Sequence, residues 1–205
     1  QIKIRIKSVE STKRIMRAME MVSAAKLNRV KSAFYSALTY SGALESMFKH
    51  LLAEIPNPSH VLLQKKDTVR TLTLCVIASD TGLCGSYNHT ILQYADAFLQ
   101  KQEGRVCKII VVGKEALKHY RKSAHITDSY VGLYGRYSAK IADDIAKNLI
   151  DKYTSGETDE VYIAYMHFSP SLRHKPVVEK FLHIEPDLSG QKHHYILEPD
   201  AETLL

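Results

Sequence analysis

The residues best placed to do chemistry are Asp80-Thr81-Gly82-Leu83-Cys84-Gly85, a glycine-punctuated turn directly behind the apolar run Thr71–Ser79. A strand that passes through a glycine-rich turn into a helix N-terminus is the arrangement that cradles phosphate in nucleotide-binding α/β folds. Here the position is right and the pattern is wrong. The first glycine of G-x-G-x-x-G is missing, and Asp80 stands near the place a phosphate would occupy. The next apolar run ends Val111-Val112-Gly113 with no Asp or Glu to hold a ribose, and no Gly-Lys-Ser/Thr follows for a P-loop. The turn therefore reads as a structural or docking loop with no cofactor.

Other reactive residues are scattered. Among ten histidines, His193 and His194 are adjacent and point apart, while His167, His174 and His183 are dispersed in type and element. Solvated or edge positions are expected for them, with no metal site. Cys75, Cys84 and Cys107 are odd in number and lack C-x-x-C spacing, which argues against a disulfide framework and against zinc. Cys75 and Cys107 lie inside apolar runs and read as small buried thiols, as in a reducing compartment. Cys84 follows no G-x-S-x-G-like elbow, and no Ser-His-Asp or Cys-His arrangement stands in a recognisable context. No residue set argues for catalysis.

The elements that hold these residues follow from periodicity. Thr71–Ser79 (TLTLCVIAS) is an apolar, β-branched run expected to be a strand buried on both faces. A helix is expected over Thr90–Gln102, a second buried strand over Val106–Val112 and a short helix over Lys114–Arg121. His125–Val131 fits either a short strand or irregular chain. Ser138–Tyr153 has helical spacing with Ser138 placed to cap it. Glu160–Phe168 is a further strand. Pro176–Ile184 alternates and so reads as an edge strand. This βαβ rhythm predicts an α/β fold, a Rossmann-like domain with a mostly parallel sheet over about residues 69–185. The tail, residues 186–205, ends in the start of another helix at Pro199, Asp200 and Glu202.

Ahead of that domain, residues 1–57 are of a different kind. Residues 1–55 contain no proline and only Gly42 as a glycine, and their apolar residues recur at helical spacing (Ile2, Ile6, Val9, Ile15, Met16, Met19, Val22). One helix of that length would run about 80 Å, and a rod with an apolar stripe is of the coiled-coil type that wants a second helix beside it. Nine of the 28 Lys/Arg but only two of the 22 Asp/Glu fall in residues 1–31, a net +7 that leaves −1 for the remainder. Such a patch seeks nucleic acid, anionic lipid or an acidic protein surface. A DNA-reading basic zipper is the alternative function. Against it, apolar residues interleave with the charges, and Ala18, Ser23, Ala24 and Ala25 suggest close helix packing. No apolar run approaches the roughly 18 residues that span a bilayer, and the charged first turns do not form a secretory signal. Membrane association would go through a partner.

Three segments carry a resemblance. Arg5–Leu27 (RIKSVESTKRIMRAMEMVSAAKL) closely resembles the N-terminal helix of the γ subunit of F-type ATP synthases. Ser79–Asn88 (SDTGLCGSYN) looks like that family's S-D-R-G-L-C-G-G/A-[FYL]-N motif. Tyr195–Asp200 (YILEPD) is similar to its Y-x-x-E-P-D segment. The resemblance implies a non-catalytic central stalk that couples proton-driven rotation to ATP synthesis, peripheral on the cytoplasmic, matrix or stromal face of an energy-coupling membrane. It places Lys13, Arg14, Arg17, Met19, Met21 and Val22 against a ring of α and β catalytic subunits whose β tips are acidic. It places Asp80, Gly82, Leu83, Cys84, Gly85, Tyr87, Asn88, Tyr195 and Glu198 in a foot that meets the ε subunit and the c-subunit ring, with neither nucleic acid nor direct membrane insertion. Thr81 stands where that family carries arginine, which weakens a charged contact from the loop. The family's long C-terminal helix, antiparallel partner of residues 1–55, has no counterpart in these 205 residues. The isolated chain is therefore expected to self-associate through Val9, Met16 and Met19.

Overall fold

The computed structural model of the chain describes residues 1–55, 60–123, 125–133, 139–169 and 174–185. They belong to two compact units, one built on the first helix and one spanning residues 57–186.

Helix α1 runs unbroken over Ile2–Glu54. Its 53 residues make a rod of about 80 Å at 1.5 Å per residue. No proline interrupts it, and several of its hydroxyl side chains bond back onto its own backbone. Thr12, Ser32, Ser36 and Thr39 each donate to the carbonyl four residues back. It stops where Ile55 turns extended (φ −101°, ψ 111°). The cause is Pro56, whose ring disfavours helical backbone at the residue before it.

The second unit is a five-stranded sheet. Its elements are β1 (Thr71–Ile77), α2 (Tyr87–Gln100), β2 (Val106–Val112), α3 (Lys114–Tyr120), β3 (Ile126–Tyr130), α4 (Ala139–Thr154), β4 (Glu160–His167) and β5 (Lys175–Leu182). The strand order is β3-β2-β1-β4-β5. The first four strands are parallel and β5 is antiparallel to β4. The fold is therefore α/β, doubly wound, with the alternating run at its antiparallel edge. The ambiguous His125–Val131 segment is the other edge, β3. Five residues with one half-buried face carry too little periodicity to declare themselves, and the β2–β3 register slips between Ile109 and Ile110.

β1 lies at the centre, with Leu74 opposite Ile109 on one side and Tyr162 on the other. Its side chains alternate between two cores, as a strand covered on both faces requires. Leu72, Leu74 and Val76 meet Ile91 and Ala95 of α2 and Ala116 and Tyr120 of α3. Cys75 joins Ile110, Val112, Leu149 and Tyr153 on the other face. Each large apolar side chain so buried contributes about 1.5–3 kcal/mol.

Candidate docking loop and cationic helix

The turn after β1 is built by its own side chains. Asn88 Oδ1 accepts from the Ser79 backbone N–H at 3.0 Å. Asn88 Nδ2 donates to Cys84 Sγ at 3.2 Å and to the Thr81 carbonyl at 3.4 Å. Thr81 thus serves through its carbonyl, while the residue itself is exposed. The described bonds of the turn at this position use only the Thr81 backbone. Gly85 takes a left-handed φ of +60° and delivers the chain into α2 at Tyr87, three residues earlier than expected. Leu83 is also left-handed (φ 61°), a conformation that costs a non-glycine residue about 1–2 kcal/mol, and it is 76% exposed. The loop holds an apolar side chain out in water on a strained backbone.

Asp80 has a different task. Its Oδ1 accepts from the backbone N–H of Lys114, at the start of α3, at 3.0 Å and from that of Gly132, behind β3, at 2.9 Å. One carboxylate ties together the chain after β1, β2 and β3, and the anion at this edge of the sheet is the protein's own. Gly113 makes the approach possible: at φ +96°, a Cβ there would lie 2.3 Å from the Ala78 carbonyl oxygen. A cleft of about 390 Å³ opens beside the loop, lined by Asp80, Cys84, Tyr87 and Leu133 among others and, among the described residues, by no Lys or Arg. A phosphate placed there would meet the Asp80 carboxylate and, among the described residues, no counter-charge.

The three thiols differ by burial. Burial pushes Cys75 up to about 12, and it also raises half-buried Cys107, with Arg105 opposing. Cys84 is exposed. His183 departs from the solvated position expected of it. Although it follows the edge strand, it is buried and its basicity is lowered, first by burial and then by Lys180. His167 and His174 are exposed, and His174 stacks on Phe168. His119 lies 2.8 Å from Asp96, which also accepts from the Tyr120 hydroxyl at 2.7 Å. Among the described residues no group of three or more His, Cys, Asp or Glu side chains is arranged to hold a metal ion. Tyr195 and Glu198, Ser138, and His193 and His194 lie outside the described residues.

On α1, Lys13, Arg14, Arg17, Met19, Met21 and Val22 are all exposed. Helical geometry separates them. At about 100° per residue, Lys13, Arg14, Arg17 and Met21 fall within about 100° of arc, while Met19 and Val22 lie on other faces. The exposed apolar stripe Ile2, Val9, Met16 keeps seven-residue spacing beside that cationic face.

What sequence reasoning missed is the acidic turn Glu157-Thr158-Asp159-Glu160 between α4 and β4. Asp159 Oδ2 accepts from the backbone N–H groups of Arg70 and Thr71, both at 2.9 Å. Glu160, its side chain 8% exposed, pairs with Lys180 at 3.0 Å and Arg105 at 3.5 Å. The signal available was four polar residues directly ahead of a buried strand.

Fold and loop define a class of protein: an α/β base whose phosphate position is filled by its own aspartate, carried on the same chain as a long, exposed, cationic helix. A family model described as ATP synthase matches residues 1–205. The ATP synthase gamma chain of Pelotomaculum thermopropionicum is 36% identical over 205 residues, covering 98% of this chain and 72% of that one. That of Fusobacterium nucleatum is 31% identical over 209 residues, covering 100% and 73%. A structure titled as the central stalk and c-ring of Tetrahymena thermophila mitochondrial ATP synthase shares the fold, with a TM-score of 0.64 over 93% of this chain and 83% of that one, at 21% identity. The chain belongs to the ATP synthase gamma chain family.

Proposed function

We infer that the chain is the central-stalk rotor subunit of an F-type ATP synthase, a non-catalytic part of a complex that couples rotation to ATP synthesis. The observation that carries this is the unbroken helix Ile2–Glu54, cationic at one end and exposed along most of its length, in a chain of gamma-chain sequence. The nucleic-acid alternative gains no support from these relatives.

In its finer form, the face made by Lys13, Arg14, Arg17 and Met21 turns against acidic surfaces of the α and β catalytic subunits, with Met19 and Val22 meeting other sides of the same ring. Attraction that depends on rotor angle biases which catalytic subunit closes, an electrostatic cam. The loop Asp80–Asn88, with Tyr195 and Glu198, forms the foot toward the ε subunit and the c-subunit ring. Leu83 is its apolar knob, and Asp80, Gly82, Cys84, Gly85, Tyr87 and Asn88 shape the loop that presents it. No described helix is long and apolar enough to cross a membrane. In the same reading, the chain sits at the cytoplasmic, matrix or stromal face of an energy-coupling membrane through its partners. Co-elution tests the ring assignment. Mixed with α and β subunits, the wild-type chain is expected to form a stable complex, and the triple variant Lys13→Gln, Arg14→Gln, Arg17→Gln a weaker one. Equal retention of both chains would rule out the cationic face as a ring contact.

A further inference from the structure

We propose that residues 60–70, by which the chain enters the α/β domain, form a clamped strap that carries torque into the sheet, with Asp159 as its anchor and Lys66 and Tyr153 as positioning residues. The proposal rests on the rotor reading for its function and on geometry alone for its existence.

A connector needs only to span its gap, and ordinary loops lie on the surface with their backbone solvated. This one is gripped along its length. The Ile184 N–H donates to the Leu62 carbonyl at 2.8 Å. Leu63 is buried. The Tyr153 hydroxyl donates to the Gln64 carbonyl at 3.0 Å. Lys66 donates to the Thr158 carbonyl at 3.0 Å and to Asp159 Oδ1 at 3.2 Å, with its ammonium 5.1 Å from the centre of the Tyr153 ring. The other oxygen of Asp159 holds the Arg70 and Thr71 amides, so one carboxylate fastens both the strap and the first residue of β1.

The anchor is itself bolted down. Three carboxylates crowd into four residues, which would repel one another unless neutralised. Lys108 of β2 and Lys152 of α4 meet Glu157 at 3.0 and 3.1 Å, and Lys180 of β5 meets Glu160 at 3.0 Å. Burial works to raise the Asp159 carboxyl, but hydrogen bonds from Thr71, Arg70 and Lys66 outweigh it and hold the group below its ordinary value. A twist arriving along the chain is spread over α4, β2, β4 and β5 and does not load a single run of peptide bonds.

Two measurements separate the strap from the rotor reading. In the full chain, amide hydrogen exchange at Arg70 and Thr71 is expected to be slow, and Asp159→Ala is expected to speed it at least tenfold while Leu74 stays protected. Fast exchange in the wild type would overturn the strap whatever the function. In the assembled enzyme, Lys66→Met, which spares the Asp159 bonds to β1, is expected to widen the angular fluctuation of the rotor about twofold. It is also expected to lower gradient-driven ATP synthesis relative to ATP hydrolysis, and the conservative variant Lys66→Arg, which keeps a donor for Asp159, is expected to retain most of both. Unchanged fluctuation and coupling in a folded Lys66→Met enzyme would overturn the torque role. A wild-type chain that assembles into no rotating complex would count against the rotor reading alone, and the exchange rates would still decide whether the strap exists.

Discussion

Helix α1 and the α/β domain spend their apolar residues in opposite ways. Val9 and Met16 on α1 are 67% and 46% exposed, whereas Leu74 and Ile110 in the sheet are at 0%. The domain closes its core by itself, with helices on both faces of a mostly parallel sheet. The helix keeps its apolar stripe in water, where it adds nothing to the chain's own stability and is free for another surface. Equal chemical changes should therefore be read in different assays: stability for the domain, association for the helix.

The widest separation is expected between Leu74→Ala and Met16→Ala. The first leaves a cavity beside Ile109 and Tyr162 and should cost about 2–5 kcal/mol in a denaturant melt. The second should change the same melt by less than about 0.5 kcal/mol. In light scattering, the wild-type chain is expected to associate through Val9, Met16 and Met19, and Met16→Ala to reduce that association. A monodisperse monomer would break the comparison.

The loop sharpens it at the next level. Gly113→Ala forces a Cβ onto the Ala78 carbonyl at a left-handed backbone position. It should destabilise the domain by about 1–3 kcal/mol or more in thermal melts. Asp80→Ala, which orphans the Lys114 and Gly132 amides, should cost a similar amount, about 1.5–3 kcal/mol. Leu83→Ala should leave the stability of the fold nearly unchanged, since the side chain it shortens is exposed and the backbone strain stays with any residue that has a Cβ, yet it should weaken foot contacts in a pull-down with the ε subunit.

Acid should act on the domain in two windows. His183 has a lowered folded-state basicity, so the unfolded chain binds its proton first. Its contribution is intact above its ordinary value of 6.5 and is lost as pH falls below that toward the lowered value. Asp159 and Glu157 are lowered from 3.8 and 4.5. Their contribution is present above those values and lost as pH falls through the lower folded ones. A urea midpoint followed against pH should decline in these two steps, and His183→Gln should remove the first. The smallest effect is kinetic. Exposed Cys84 should react with a thiol reagent well before Cys107, and Cys75 should stay silent in the native state.

What could be read from the residues depended on how each structure is encoded. The buried strands β1 and β2 announce themselves because a strand covered on both faces must be apolar throughout, and α1 because 53 residues repeat one pattern. β3 did not, being five residues with one half-buried face. The glycine loop was legible as a failed phosphate cradle, but the partners of Asp80 were not, since Lys114 and Gly132 are brought to it only by the crossover order of the sheet. The burial of His183 and the clasp around Asp159 likewise join residues far apart in the chain, and no local spacing records such pairs.

The central claim is that this chain turns as a rotor part and makes no bonds itself. A probe attached to the α/β domain, watched while immobilised α and β subunits hydrolyse ATP around the chain, tests that claim most directly. Stepwise rotation that depends on the presence of α1 is expected, with no ATP bound to the purified chain. A probe that stays still in an active complex containing the chain, or ATP held in the cleft beside Asp80, would contradict it.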